Sequence, residues 1–509
     1  MTTQRIAWLL LLGLIVLETA PAYAQRSPFD RFRRRPSRSA TERPPRETVN
    51  RNHENAKSNA ERASQQGNPQ RAVELTTNVL LENPQDHVAY YIRAGARVEL
   101  GMRKQDGKLV RDGVADARQA IRLKRTDNVL YYLPYLYGMS RLTELEGNPE
   151  HAKVSVTVAG QVLELAQLSN SEKANIYYQR AFARGKLGEH ASAAADYHEA
   201  VLLEPKHFGA LLGRAAAYAA ADNREQALSS FDRAVEALPQ QPQVYNERGM
   251  YRAQTGDLQG AISDYDQTTR LDPKFLWAYT NRGVAKLETG DPVAAEVDFS
   301  QSLQRRPDQS VVHVLRGSAR LTQGKSAGAL ADFRKALELD PAAADAHASL
   351  GFAQYFTKDF AGAQASFDKA QSLNAAMHHL NPWKYLTLLH LGQSEAAANL
   401  VAERSDASAS EPEWSDELLT FLAGSMEGAA LLGKADAGEP ELAKSQPCEA
   451  YYFIAERNAL DGNAEGAQQN YRQALETKAY HLSAYRGAQF ALQQFVTGNR
   501  GQAGLAPRN

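Results

Sequence analysis

Residues 245–273 read YNERGMYRAQTGDLQGAISDYDQTTRLDP, and this stretch decides the fold. Tyr245 and Gly249 lie four residues apart, a Gly-Asp pair follows, and Ala261 and Tyr265 are again four residues apart. Because four residues make about one turn of an α-helix, each pair lies on one helical face. The stretch therefore predicts two helices joined by a tight turn.

The same pattern recurs with a constant period of 34 residues. The period is marked by Pro205, Pro239, Pro273, Pro307 and Pro341. A column of small residues contains Ala193, Ala227, Ala261, Ala295 and Ala329, and a column of aromatic residues contains Tyr197, Phe231, Tyr265, Phe299 and Phe333. One helix pair of this length cannot bury its own apolar face, so neighbouring pairs must stack into a solenoid.

This unit resembles the tetratricopeptide repeat (TPR), and the resemblance covers most of the chain after residue 53. It implies an all-α, right-handed superhelical solenoid of about ten to eleven helix–turn–helix repeats, some of them irregular. The first helix of each repeat is named A and the second B. The turns fit this assignment: in Gly67-Asn68-Pro69, Gly147-Asn148-Pro149 and Gly290-Asp291-Pro292, glycine ends helix A, the polar residue caps helix B and proline fits its first turn.

The first 24 residues read as an export signal. Arg5 precedes an apolar run from Ile6 to Leu17, and Ala22-Tyr23-Ala24 has the small-x-small form of a cleavage site. The run is too short to cross a bilayer, and no other segment is long and apolar enough. We therefore expect no transmembrane span and an exported, periplasmic protein. Extracellular or outer-membrane-associated placement and retention of the signal as an anchor are the alternatives.

The remaining sequence divides into five predicted segments. These are a disordered Arg/Pro-rich arm (25–52), the TPR array (53–405), an irregular helical insert (406–447), a terminal TPR-like unit with a capping helix (448–497) and a disordered tail (498–509). The arm is rich in arginine and poor in apolar residues, which is typical of disorder. It is expected either to contact an anionic envelope surface or to act as a spacer.

The end of the array is similar to that of NlpI-type envelope TPR proteins. A Trp-bearing insert around Trp414 is followed by the run from Cys448 to Phe453 and then by one more repeat unit. The resemblance implies an adaptor for proteins of the cell envelope. Because the chain has no cysteine at the predicted cleavage site, the lipid anchor of those relatives does not carry over.

The composition and motifs favour a protein that is not an enzyme. The formal net charge of -1 gives no indication of a nucleic-acid partner. A glycine-rich phosphate loop, GxSxG, HExxH and a cysteine pair for zinc are all missing from the sequence. We therefore predict no catalytic residues, no cofactor and no metal, and we interpret His378, His379 and His390 as surface residues.

In TPR proteins helix A lines the concave wall, so the resemblance implies an apolar partner-binding groove there. The predicted groove residues are Met250, Trp277, Val284, Leu287, Val314, Leu321, Phe352, Tyr355, Phe356 and Leu386. The alternative is that the insert around Trp414 or the arm already fills this groove.

A second periodic feature pairs Arg180, Arg248, Arg282 and Arg316 with an aspartate sixteen residues later, which predicts ion pairs between helices A and B.

The sequence thus predicts an exported, non-enzymatic scaffold or adaptor that binds protein or peptide segments of the envelope. The alternative is a structural component of an exopolysaccharide or outer-membrane secretion assembly, because long exported TPR arrays also occur there. Binding to an envelope polysaccharide in place of a peptide would favour that alternative.

Overall fold

The computed structural model describes residues 47–124, 129–165, 168–407, 413–437 and 442–503, and these residues form helices and connecting turns without a β-strand. The predicted signal and most of the arm lie outside the described residues. The chain divides into two compact units between Arg248 and Gly249. None of the helices in the described ranges is both long and apolar enough to span a membrane.

The helices up to the division are α1 (Glu47–Gln65), α2 (Pro69–Glu82), α3 (His87–Lys104), α4 (Gly107–Leu123), α5 (Tyr132–Glu146), α6 (Pro149–Leu163), α7 (Asn170–Lys186), α8 (His190–Leu203), α9 (Phe208–Ala220), α10 (Arg224–Ala237) and α11 (Pro242–Gln254), which contains the division. A 3-10 turn, Val129–Tyr131, precedes α5. Because α1 begins at Glu47, the helical part starts before the boundary predicted at residue 53.

The second unit continues with α12 (Leu258–Leu271), α13 (Leu276–Glu288), α14 (Pro292–Arg305), α15 (Ser310–Thr322), α16 (Ser326–Leu339), α17 (Ala344–Phe356), α18 (Phe360–Leu373), α19 (Asn381–His390), α20 (Ser394–Ala407), α21 (Trp414–Leu422), α22 (Gly428–Asp436), α23 (Ser445–Leu460), α24 (Ala464–Glu476) and α25 (Ser483–Ala503). In chain order, α1 to α20 form ten A–B pairs and α23–α24 forms one more. The predicted all-α TPR solenoid is therefore confirmed.

The turn chemistry follows the predicted glycine–cap–proline logic. Gly290 ends α13 with a φ of 84°, the left-handed region that glycine adopts without strain. The side chain of Asp291 then accepts a hydrogen bond from the backbone N–H of Ala294 at 3.0 Å, and Pro292 opens α14. Each such turn reverses the chain and sets helix B against helix A.

The small residue on helix A faces the aromatic ring of helix B in each regular repeat. A Cβ added at Gly317 would lie 2.6 Å from Cε1 of Phe333, and one added at Gly283 would lie 2.7 Å from Cε1 of Phe299. Both rings are fully buried. In these two repeats the tightest contact of the helix-A glycine is therefore with the aromatic column of helix B.

We expect Gly317→Ala to lower the free energy of unfolding by about 1–3 kcal/mol, because the buried Phe333 ring must move to admit the methyl group. Gly185→Ala is the matched control: no atom lies within 4 Å of the added Cβ, so the better helix propensity of alanine should stabilise α7 by about 0.5–1 kcal/mol. Urea denaturation of both variants measures the difference. Equal effects would contradict the assigned contact.

Three of the predicted Arg–Asp ion pairs are confirmed by the geometry of their side chains. Arg180 contacts Asp196, Arg282 contacts Asp298 and Arg316 contacts Asp332, in each case through two hydrogen bonds. For the fourth arginine, Arg248, the structure gives a 2.7 Å ion pair with Asp232.

A second cation, four residues further along helix A, was missed by sequence analysis. Arg184 reaches Asp196, Lys286 reaches Asp298 and Arg320 reaches Asp332. All three aspartates are buried, so each is held between two cations of its own repeat. These side chains brace the repeat internally.

Candidate functional site

The C-terminal helices of the second unit cover helix A of its later repeats. Helix α25 packs against α15 and α17, and α21 packs against α19. The covering contacts are specific: the rings of Phe356 and Phe490 stack with centroids 5.5 Å apart, and those of Trp383 and Tyr452 stack at 4.9 Å. The later part of the wall is therefore covered by the chain itself.

This covering changes the interpretation of the predicted groove residues. Leu321, Phe352, Tyr355, Phe356 and Leu386 are buried in one apolar cluster with residues of α21, α23 and α25. They were expected on an open wall, but here they contact this chain's own helices. Of the two fillers proposed from sequence, the Trp414 insert supplies α21, whereas α23 and α25 belong to the terminal unit.

Val284 and Leu287 are buried for a different reason. Both lie in the cluster between successive repeats with Phe299, Leu303 and Leu315. They are packing residues of the solenoid, since helical spacing alone does not separate a wall position from a position between repeats.

The other three predicted residues, Met250, Trp277 and Val314, are half-buried. Met250 packs against the small cluster around Tyr265, and Val314 packs against the large C-terminal cluster. A partner-binding role for the ten residues stays a prediction, and the structure leaves these three partly exposed.

A cavity of about 480 Å³ remains where the C-terminal helices meet the end of α17. We call it the aromatic pocket. Seven of its lining residues are aromatic: Tyr355, Phe356, Phe360, Tyr452, Tyr471, Phe490 and Phe495. Tyr355 and Phe356 are the two predicted groove residues that line it, so the structure brings these two together with residues from more than 95 positions later.

One carboxylate lies among the aromatic rings. The side chain of Glu456, on α23, accepts a hydrogen bond from the hydroxyl of Tyr355 at 2.8 Å and another from the hydroxyl of Tyr471 at 2.7 Å. Burial, followed by the nearby charge of Glu456, raises the pKa of both tyrosines well above its ordinary value. Both hydroxyls therefore stay protonated and act as donors at neutral pH.

Two further titratable groups line the pocket. Lys358 is exposed, and it has a φ of 66° in the turn after α17. The ring of His390 stacks on Phe360 with centroids 4.2 Å apart, and burial lowers the pKa of His390, although Glu456 opposes this shift. At neutral pH we therefore expect His390 to be uncharged, which leaves Glu456 and Lys358 as the acidic and basic groups of the pocket.

The other histidines of the predicted cluster have different surroundings. His378 contacts the carboxylate of Glu413 at 3.0 Å, and burial lowers the pKa of His379 to about 4. No three His, Cys, Asp or Glu side chains in the described part of the chain are placed to hold a metal ion. Thus the structure does not gather the three histidines around a ligand site.

A second buried acid connects the insert to α23. The indole N–H of Trp414 donates to the Glu449 carboxylate at 2.9 Å. Burial raises the pKa of Glu449 to about 7, and the hydrogen bond from Trp414 opposes this shift only in part. The insert therefore packs onto the terminal unit through a carboxyl group that is poised to titrate near neutrality.

We expect Glu449 to make the unfolding free energy fall as pH rises from about 4.5 to about 7. In this window the folded protein binds the proton more tightly than the unfolded chain, so ionisation costs stability. Below it, both forms are protonated. Glu449→Gln should match the wild type near pH 4.5 and be more stable at pH 8.

The measurement is the difference in unfolding free energy between the wild type and Glu449→Gln at each pH. His379, whose low pKa gives the opposite slope between about 4 and 6.5, contributes equally to both proteins and cancels. A difference that does not change between pH 4.5 and pH 8 would show that Glu449 is not buried in its acid form.

The helix pairs and their turns define a helical-repeat scaffold of the protein-interaction type. Two protein-family models match the sequence. One, described as "Tetratricopeptide repeat", matches residues 165–242, and the other, described as "TPR repeat", matches residues 317–356. The chain therefore contains tetratricopeptide repeats in these two stretches. No curated protein sequence matches it.

Several solved structures share the repeat fold over part of the chain. A TPR protein from Parabacteroides merdae is 18% identical and covers 52% of this chain and 99% of its own, with a TM-score of 0.34. The C-terminal part of a TPR protein from Cytophaga hutchinsonii is 16% identical, with coverages of 47% and 96% and a TM-score of 0.38. YrrB, described as a TPR protein with an unusual peptide-binding site, is 17% identical, with coverages of 36% and 94% and a TM-score of 0.32.

Proposed function

We propose that the chain is a non-enzymatic scaffold that binds segments of other proteins in the aromatic pocket. One observation carries this proposal: the pocket is a cavity of about 480 Å³ lined by aromatic side chains, among them Tyr355 and Phe356. Concave, largely apolar cavities with a few polar groups are the usual form of ligand sites. The TPR fold favours a peptide as the ligand.

The size of the pocket sets the affinity that we expect. Burying one large apolar side chain contributes about 1.5–3 kcal/mol, and micromolar affinity requires about 8 kcal/mol. A bound segment must therefore place several side chains in and around the pocket.

Selection from a displayed library of random peptides tests this function. We expect the wild type to enrich a set of related peptides from this library. Ala491 lines the pocket, so Ala491→Trp should fill the pocket and abolish this enrichment. The matched control is Ala398→Trp, which introduces the same side chain at an exposed position of α20 and should enrich the same peptides. Circular dichroism checks that both variants remain helical.

Two results would overturn this function. One is enrichment that survives in Ala491→Trp. The other is a wild-type protein that enriches no peptide but binds purified envelope polysaccharide, which would favour the structural component of an exopolysaccharide or secretion assembly.

We further propose that the scaffold is exported and that its partners are proteins of the cell envelope. The support is the N-terminal pattern of Arg5, an apolar run and Ala22-Tyr23-Ala24. The mass of the protein released by osmotic shock should correspond to a chain that begins at Gln25. Full-length protein found only in the cytosol would overturn export.

Contact of the arm with anionic surfaces is tested separately by sedimentation with anionic vesicles.

A further inference from the structure

Glu456 is a buried carboxylate without a cationic partner. It is 9% exposed and lines the aromatic pocket, yet the groups that hydrogen-bond to it are the neutral hydroxyls of Tyr355, Tyr471 and Tyr452. Among the described residues, no Lys, Arg or His nitrogen forms an ion pair with it. In contrast, Asp196, Asp298 and Asp332, the buried aspartates of the repeats, are each held by two cations.

This arrangement favours a cation in the pocket. A carboxylate removed from water without a countercharge has an unfavourable desolvation energy, which neutral hydrogen bonds offset only in part. The two oxygens of Glu456 have four lone pairs in total, and the hydroxyls of Tyr355, Tyr471 and Tyr452 use at most three of them. Acceptor capacity therefore remains on the carboxylate.

The aromatic lining favours the same kind of ligand. Ring faces attract ammonium and guanidinium groups, and the attraction increases when the cation leaves water. Rings come from three sides: Phe356 from α17, Tyr452 from α23 and Phe490 from α25. An aliphatic stem can pack along the edge of these rings while its charged end approaches Glu456.

The other charged group of the pocket does not replace the ligand. Lys358 is exposed, so water screens its charge, and it forms no ion pair with Glu456. His390 has a lowered pKa and is neutral at pH 7. The carboxylate is therefore the group that determines the sign of the charge that the pocket accepts.

We infer that the aromatic pocket binds the cationic side chain of a lysine or arginine in a partner protein segment, with Glu456 as its counterion. This inference rests on the proposed peptide-binding function and adds the chemistry of the bound residue. The occupant is fixed by charge complementarity: an anionic side chain would meet the Glu456 carboxylate, and an apolar one would leave it without a countercharge.

Saturation-transfer NMR on the full chain tests the inference with three blocked pentapeptides of the form Gly-Gly-X-Gly-Gly. The central residue X is lysine, norleucine or glutamate, so that the flanking backbone is constant. We expect transfer to the lysine side chain, weak transfer to norleucine and none to glutamate. In Glu456→Gln the affinity for the lysine peptide should fall roughly tenfold or more, because a charged hydrogen bond is lost.

Two further variants separate charge from shape. Lys358→Ala lies at the same pocket but removes the opposite charge, so it should bind the lysine peptide at least as well as the wild type. Ala491→Trp should abolish binding while leaving Glu456 in place. If Glu456→Gln fails to fold by circular dichroism, the comparison of the three peptides on the wild type, with Ala491→Trp as the blocked control, decides the question.

The outcomes distinguish the two proposals. Equal binding of the lysine and norleucine peptides, abolished by Ala491→Trp, would overturn the cation inference and keep the peptide-binding pocket. Unchanged binding of the lysine peptide by a folded Glu456→Gln would do the same. If none of the peptides binds the wild type, the inference fails; if the displayed library also yields nothing, the proposed function fails with it.

Discussion

Trp383→Ala is expected to destabilise the second unit by about 3–5 kcal/mol, the usual cost of removing a fully buried large aromatic side chain. Trp383 on α19 is 1% exposed, and its ring lies 5.0 Å from that of Phe352 and 5.7 Å from that of Phe356 on α17. On its other side it stacks on Tyr452 of α23. The substitution therefore leaves a cavity at the place where the C-terminal helices meet the repeats.

The matched control is Trp277→Ala. It removes the same side chain from a half-buried position of α13, so we expect less than half of the loss. Because repeat proteins can unfold in parts, urea denaturation should be combined with hydrogen exchange of α17, α19 and α23. Equal losses for the two tryptophans would contradict the packing described for Trp383.

Asp298→Asn is expected to lower the stability of its repeat by about 3–5 kcal/mol, because it leaves Lys286 without its counterion and Arg282 with only the exposed Asp266. The carboxylate of Asp298 is 2% exposed; it accepts from Arg282 at 2.5 and 2.9 Å and from Lys286 at 2.9 Å. Asparagine keeps the shape of the side chain, so the loss reports the charge rather than a cavity.

The neighbouring Asp266 provides the control. It also pairs with Arg282, at 2.6 Å, but its side chain is 48% exposed. Asp266→Asn should therefore change stability by no more than about 1 kcal/mol. Hydrogen exchange should increase in α13 and α14 for Asp298→Asn and stay near the wild-type rates for Asp266→Asn. Similar effects of the two variants would show that burial does not distinguish the two ion pairs.

The repeat fold could be predicted from the sequence because its contacts are local. The columns of Ala295 and Phe299, turn glycines such as Gly256 and Gly290, and the arginine–aspartate spacing repeat with the same period. Contacts within one repeat have the same separation each time, so each repeat confirms the others. The second cation, such as Lys286, also followed this period, but Tyr218 and Gln354 interrupt the series of cations at that position and hide the pattern.

The covering of the wall could not be predicted in this way. Tyr355 meets Glu456 across 101 positions of sequence, and the contact occurs once, so no periodicity reveals it. The sequence predicts α25 only as a capping helix of the terminal unit, whereas Phe490 faces Phe356. The aromatic residues of α25 and the acidic residue in the apolar run of α23 were the signals available.

The similarity of the terminal part to NlpI-type proteins also stays a prediction, since no comparison supports it. The arrangement described for α21, α23 and α25 does not depend on it. What matters for function is that these helices cover an apolar wall and leave one pocket with a carboxylate inside it.

Hydroxyl-radical footprinting tests the central claim, that α25 lies over the helix-A wall, by reading the exposure of individual side chains. In the wild type, Tyr355 and Phe356 should be oxidised far more slowly than the half-buried Trp277. In Gly487→Leu they should become reactive, because a Cβ at this position of α25 would lie 2.6 Å from Tyr452 and 2.9 Å from Phe356 and must push the helix away. Tyr355 and Phe356 that react in the wild type as readily as Trp277 would contradict the account.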